Sequence, residues 1–232
     1  MNKLECLENN NIPYIIKKGK YKRIIIGYYH QTTLTIKTPI NMPFHKLEKF
    51  INDNLEWIIK KQPQGYYLNT KYETDSKYLF LGHEYKLKIL ASNIEKVELF
   101  NDELVIYSKS LEEAKIKTIL NKWRKTQAEL IFQEVLNKCF KEMNKYLIKY
   151  PLLEIKKYKS RWGCCYPKQN KIIINISVVN LPINFIEYVI FHELTHFVHL
   201  NHSKEFHQLL QKFVPNERIL KKEITKYNPI YE

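Results

Sequence analysis

No apolar run in the 232-residue chain approaches the roughly 18 residues needed to span a bilayer. The opening "MNKLECLENNN" also lacks the basic-then-apolar pattern of a secretory leader. A cytoplasmic protein with no membrane association is therefore expected. Cysteine is sparse, at four residues. Cys6 and Cys139 are isolated, and the neighbouring Cys164 and Cys165 cannot easily bridge each other, so reduced thiols are expected. Internal repeats and low-complexity tracts are absent apart from a lysine bias. With 44% hydrophobic residues the chain can bury a core without covalent staples.

Arginine is scarce as well. Of 38 basic residues 34 are lysine, whereas bidentate readout of phosphates or guanine edges prefers arginine. The formal charge of +14 is unevenly spread: the excess is +5 over residues 1–110, +9 over 111–171 and zero over 172–232. The basic middle segment, 111–171, is thus a candidate nucleic-acid contact, in competition with an ordinary solvated lysine surface.

Coarse patterning suggests an α+β protein. "YKRIIIGYYHQTTLTIKTP" reads as two strands with a turn or bulge near Gly27. "PFHKLEKFINDNLEWIIKKQ" has helical spacing, stopped by Pro63, and the polar stretch "QPQGYYLNTKYETDSK" reads as a linker or exposed loop. "YLFLGHEYKLKIL" and "KVELFNDELVIYS" read as strands, the second folding as a hairpin about Asn101 and Asp102. Ser110 with Glu113 forms a capping box, opening a long amphipathic helix that runs to about Pro151 with Ile116, Leu120, Trp123, Leu130, Val135, Cys139 and Met143 on its apolar stripe. "LLEIKKYKSRWGCCY", the turn "PKQN" and "KIIINIS" make a strand, a turn and a strand. Residues 183–200 form a helix, and Ser203 caps a last short one that Pro215 ends.

Five of the eight histidines fall within "YVIFHELTHFVHLNHSKEFH". His192, Glu193 and His196 form H-E-x-x-H on the expected helix. Residues four apart share a face, so both imidazoles can reach one ion, with Glu193 placed to act as general base on a water acidified by zinc. For the third ligand, His199 is in phase but lies about 10 Å along the axis from His192, and would overshoot. His202 lies just past Asn201, which tolerates a left-handed turn, and its ten-residue spacing from His192 fits the long zincin pattern. Spacing favours His202, with a glutamate from a later helix as the alternative. His207 packs or shapes the rim, and His199 is a pocket candidate or an ordinary polar helix residue.

"SRWGCC", "INIS", "YVIFHELTHFVHLNHSKEF" and the closing "VP" resemble the YgjP-like metallopeptidases, relatives of the SprT-like proteins. "TPINMPFHKLEKFINDNLEWI", "LFLGHEYKLKI" and "WRKTQAEL" extend the similarity upstream. The resemblance implies one zinc ion on His192, His196 and His202, with Glu193 as general base. Two positions depart from the pattern: Cys164 replaces a usual serine and His207 a usual tryptophan. Within "SRWGCC", the strand edge could receive an extended peptide and Arg161 could support a substrate carbonyl or oxyanion; alternatively Trp162 and Gly163 pack strand on helix and Arg161 pairs with a carboxylate.

The expected architecture is α+β: a β-rich region with one helix over 1–110, then a zincin-like metallopeptidase unit over 111–232 containing a helix, a β-hairpin or sheet, and the H-E-x-x-H helix. The expected function is a zinc metalloendopeptidase acting on protein or peptide through a zinc-bound water activated by Glu193. A nucleic-acid-associated binding module with a structural or vestigial zinc site is the alternative. SprT-like relatives act at protein-DNA crosslinks, so the resemblance leaves room for both.

Overall fold

The computed structural model describes residues 3–30, 33–61, 71–147, 149–158 and 160–227. The chain is α+β and divides into two units, residues 1–65 and 66–230.

The first unit contains α1 (Glu5–Asn9), β1 (Tyr14–Gly19), β2 (Ile25–His30), β3 (Thr33–Pro39), α2 (Phe44–Asp53) and α3 (Leu55–Lys61). Its sheet runs β1-β3-β2, with β1 parallel and β2 antiparallel to β3. Leu4, Leu7, Leu34, Ile36, Leu47, Ile51 and Ile58 form its core. Gly27 does not turn the chain but pairs with Thr35 inside β2, and the register shift falls between Tyr28 and His30. The single helix expected after Pro43 is interrupted at Asn54, whose side-chain Nδ2 donates to the Phe50 carbonyl at 2.8 Å. Such competition for helix carbonyls makes asparagine a poor helix-interior residue. The expected stop at Pro63 and most of the expected linker, residues 62–70, lie outside the described residues.

The second unit opens with a four-stranded sheet, β4 (Lys77–Phe80), β5 (His83–Ala91), β6 (Lys96–Phe100) and β7 (Glu103–Ser108), in the order β4-β5-β7-β6. β5 and β7 are parallel, and β6 and β7 form the hairpin expected about Asn101, which has φ 51°. β4 and β5 are a second hairpin, turning at Leu81 and Gly82 with φ 50° and 80°. Two positive φ values match the right-handed twist of the flanking strands.

The long helix α4 spans Glu113–Met143 without a break. The capping box does not form: Ser110 Oγ accepts from the Glu112 N–H at 3.3 Å, while Glu113 Oε1 accepts from the Tyr72 N–H at 3.2 Å. The buried stripe also turns off the expected one. Arg124, Ala128, Phe132 and Leu136 join Ile116, Leu120, Val135, Cys139 and Met143 inside, whereas Leu130 is 62% exposed. Over 31 residues a straight helix drifts away from a stripe drawn at a fixed short period. Trp123 packs on Phe80 at 4.8 Å between ring centroids, so α4 and the four-stranded sheet share one core with the elements that follow. The division expected at 110/111 runs through this core.

A three-stranded sheet, β8 (Leu152–Lys156), β9 (Gly163–Tyr166) and β10 (Lys171–Asn175), is ordered β8-β10-β9 with β9 at an edge. The segment expected as one strand before the "PKQN" turn is thus two. A short turn of helix, Ile176–Asn180, leads into α5 (Ile183–Thr195), followed by α6 (Lys204–Phe213) and α7 (Glu217–Glu223). Among the described residues no helix is long and apolar enough to cross a membrane.

Candidate metal centre

α5 carries nine buried residues in thirteen, and it packs against α4, β9 and β10. Burial on most sides is what the run "FIEYVIFHELT" requires, and it places His192 and Glu193 at the edge of a core rather than in bulk water. The helix ends at Thr195, five residues earlier than the pattern suggests. Thr195 is fully buried and its Oγ1 donates to the Phe191 carbonyl at 2.7 Å, while Phe197 and Val198 make tight three-residue bonds to Leu194 and Thr195. Such bonds close a final turn in place of a continuing helix.

The return of His202 therefore depends on residues 196–203 and not on a hinge at Asn201, which is absent from the positive-φ residues. Ser203 stops the turn, accepting from the Phe206 N–H at 3.4 Å to cap α6 as expected. The early end also takes His199 off the helix, and its carbonyl meets His196 Nδ1 at 3.1 Å.

His192, His196 and His202 converge. One nitrogen of each lies within 4.8 Å of the others, and the Nε2 atoms of His192 and His202 are 2.9 Å apart. Phe206, fully buried, places its ring 4.7–5.0 Å from all three imidazole centroids and forms the floor beneath them. Burial pushes His192 down to about 3 and lowers His196 and His202, so all three rings are neutral near pH 7. Neutral imidazoles are the ligating form. The His199 carbonyl fixes His196 with its proton on Nδ1, leaving the Nε2 lone pair free. Two nitrogens bound to one tetrahedral zinc at 2.0–2.1 Å stand about 3.3 Å apart, close to the observed separation. The donor set thus fits a small divalent ion with a position left open. His192 Nδ1 is buried and has no protein partner among the described residues.

Glu193 is 6% exposed and lies against the backbone of β9. A Cβ built on Gly163 would stand 2.7 Å from Glu193 Oε1 and 2.8 Å from its Cγ, so only glycine admits the carboxylate here. Burial raises Glu193 to about 8, and the Arg161 charge pulls it down only in part. Arg161 is exposed, with its guanidinium 5.5 Å from the Tyr158 ring centroid.

The loop before β9 is held by Asn175, which is 1% exposed. Its Nδ2 donates to the carbonyls of Tyr158 and Arg161 at 3.0 and 2.9 Å, and its Oδ1 accepts from the Ser177 N–H at 3.3 Å. Sequence reasoning assigned no role to Asn175 or Phe206. Their signals, an asparagine closing an apolar strand and a phenylalanine on a short helix, are common in any core.

Cys164 and Cys165 are free thiols outside the histidine cluster, and burial pushes Cys165 up to about 12. Glu217, the sole glutamate of α7's first turn, is 2% exposed, and its Oε1 lies 3.2 Å from His207 Nδ1. Glu217, one of the later-helix glutamates open to the alternative third-ligand reading, is thus engaged by His207, which gains a buried carboxylate partner.

The family model for "YgjP-like, metallopeptidase domain" matches residues 22–227. No curated protein matches the chain. Two solved structures are similar to parts of it. The metallopeptidase zymogen abylysin of Pyrococcus abyssi is 21% identical, over 40% of this chain and 90% of that one, with a TM-score of 0.37. The metallopeptidase zymogen jannalysin of Methanocaldococcus jannaschii is 25% identical, over 41% and 94%, also with a TM-score of 0.37. A TM-score at that level does not establish a common fold.

Proposed function

Because this chain belongs to the YgjP-like metallopeptidase family, we propose that it is a zinc-dependent endopeptidase whose metal is held by His192, His196 and His202 and whose general base is Glu193. The observation that carries the reading is the convergence of three neutral imidazoles, the first of which is followed in the chain by a buried carboxylate. Zinc bound there supplies Lewis acidity, polarising a scissile carbonyl and bringing the acidity of a bound water into the neutral range.

The protein's own groups do the rest. Phe206 and the α6 cap hold the third imidazole against the first two, so the ligand set is organised before binding. Buried among apolar neighbours, the Glu193 carboxyl is a strong base once ionised, and a divalent charge beside it favours that ionised form. One carboxylate oxygen takes the proton of the attacking water and returns it to the leaving amine nitrogen as the peptide bond breaks. Gly163 leaves the space in which that carboxylate turns towards the reacting atoms. Arg161, whose charge is felt at Glu193, supports the substrate carbonyl. The free edge of β9 offers backbone groups to an extended peptide.

His202→Ala tests the ligand set. The purified variant should fall well below one metal ion per chain by elemental mass spectrometry. Wild-type metal content in that variant would remove His202 from the site.

A further inference from the structure

Residues of α6 and α7 line an open cleft of about 490 Å3. Lys204, His207 and Gln211 line it from one face of α6, and Glu217, Arg218 and Lys221 from one face of α7. The cavity adjoins the candidate metal centre: the His207 ring centroid is 6.3 Å from that of His202, and the Lys221 charge is felt at both His192 and His202.

Its charge is unbalanced. The one acidic group in the lining, Glu217, is almost fully buried and already engaged by His207 Nδ1 at 3.2 Å and Gln211 Nε2 at 3.4 Å. Lys204, Arg218 and Lys221 are exposed and have no ion-pair partner among the described residues. Elsewhere in the same unit Lys138, Lys156 and Lys171 each have a carboxylate oxygen within 2.9 Å. The final 61 residues carry no net charge overall, yet three of their cations without an ion-pair partner line this one cavity.

We propose that this cavity is a carboxylate-binding subsite, which takes an acidic side chain or the free C-terminal carboxylate of the peptide whose scissile bond lies at the histidine cluster. The inference rests on the peptidase reading and adds to it a substrate class. Cations lining one cleft, with an arginine among them, suit a carboxylate by charge-assisted hydrogen bonds, while a neutral side chain leaves those donors to water. The cavity is large enough for an Asp or Glu side chain with its water.

The test measures binding without turnover, using Glu193→Gln protein and fluorescent peptides. A single Glu is moved along an otherwise neutral sequence and compared with its Gln counterpart, each with a free or an amidated C-terminus. At one or more positions the Glu peptide, or in the other arm the free-acid peptide, should bind about tenfold or more tightly than its neutral partner, with the advantage shrinking in high salt. Combined Lys204→Gln, Arg218→Gln and Lys221→Gln should abolish the advantage at unchanged metal content, and Lys221→Gln alone should reduce it if the triple variant does not fold. Equal binding of acidic and neutral peptides, or a preference that survives the substitutions, would overturn the proposal. Failure of the peptidase reading would appear separately, as no cleavage by the wild-type protein of peptides that bind.

Discussion

Gly163 and Glu193 occupy one small volume, and that crowding makes the pair testable. Adding a methyl group at Gly163 places it 2.7 Å from Glu193 Oε1, and neither the strand backbone nor the buried carboxylate can yield freely. Gly163→Ala should bind metal as the wild type does yet lose on the order of 10²-fold in kcat, because the base is displaced by a fraction of the distance that matters. Steady-state kinetics beside metal analysis would show it. Glu193 also governs how stability changes with pH in the metal-free protein. Its folded value of about 8 lies above the ordinary carboxylate value, so above pH 4.5 the unfolded chain binds fewer protons than the native one, and stability falls until pH passes 8. His192, lowered to about 3, acts oppositely between pH 3 and its ordinary 6.5, where the unfolded chain binds more protons. Between pH 6.5 and 8 Glu193 is therefore uncovered: chemical denaturation should show declining stability there, and Glu193→Gln should flatten it. The histidine pair and its glutamate were readable because helical spacing alone puts them on adjacent faces. Phe206 and Gly163 matter through which atoms they meet in space, and no local pattern encodes that.

Elements were readable where a strand or helix is dictated by its own residues, and misread where a neighbour decides. The hairpin at Asn101 and the Ser203 cap follow from local turn and capping chemistry. The end of α5 does not, because it is set by a buried Thr195 hydroxyl and by tight turns after it, and these override a sequence that reads as helix to Leu200. α4 shows a related limit: its stripe is chosen by Phe80, Tyr78 and the elements beyond, which is why Arg124 is inside and Leu130 outside. Between β10 and β9 the deciding residue is Asn175. It ties the Tyr158 and Arg161 carbonyls to the end of β10, so removing its amide takes the donor from two part-buried acceptors and leaves the Ser177 N–H without its acceptor. Asn175→Ala should lower stability by about 2 kcal/mol. It should also raise KM through a loosened Arg161 more than it lowers kcat through Glu193. A variant with wild-type stability and KM would show that the loop is held by other contacts.

At the scale of the whole molecule part of the middle segment's basic charge is held in ion pairs, some of them with carboxylates from outside that segment. Within the lysine-rich middle, Lys115, Lys138, Lys156 and Lys171 meet Glu95, Glu187 and Glu154 at 2.6–2.9 Å. Exposed pairs of this kind add little stability, but they reduce the field offered to a polyanion. The nucleic-acid reading and the peptidase reading thus use different parts of the chain: one requires affinity for DNA or RNA that falls steeply with salt, the other requires chelator-sensitive hydrolysis. Composition made the charge visible and could not show its pairing, just as it could not show that the four-stranded sheet shares its core with α4. The central claim is that Glu193 moves the proton for a metal-dependent hydrolysis. The direct measurement is cleavage of an unstructured protein by matched wild-type and Glu193→Gln preparations of equal zinc content, with and without chelator. The account predicts chelator-sensitive cleavage by the wild type and none by the variant; cleavage retained by Glu193→Gln at equal zinc would contradict it.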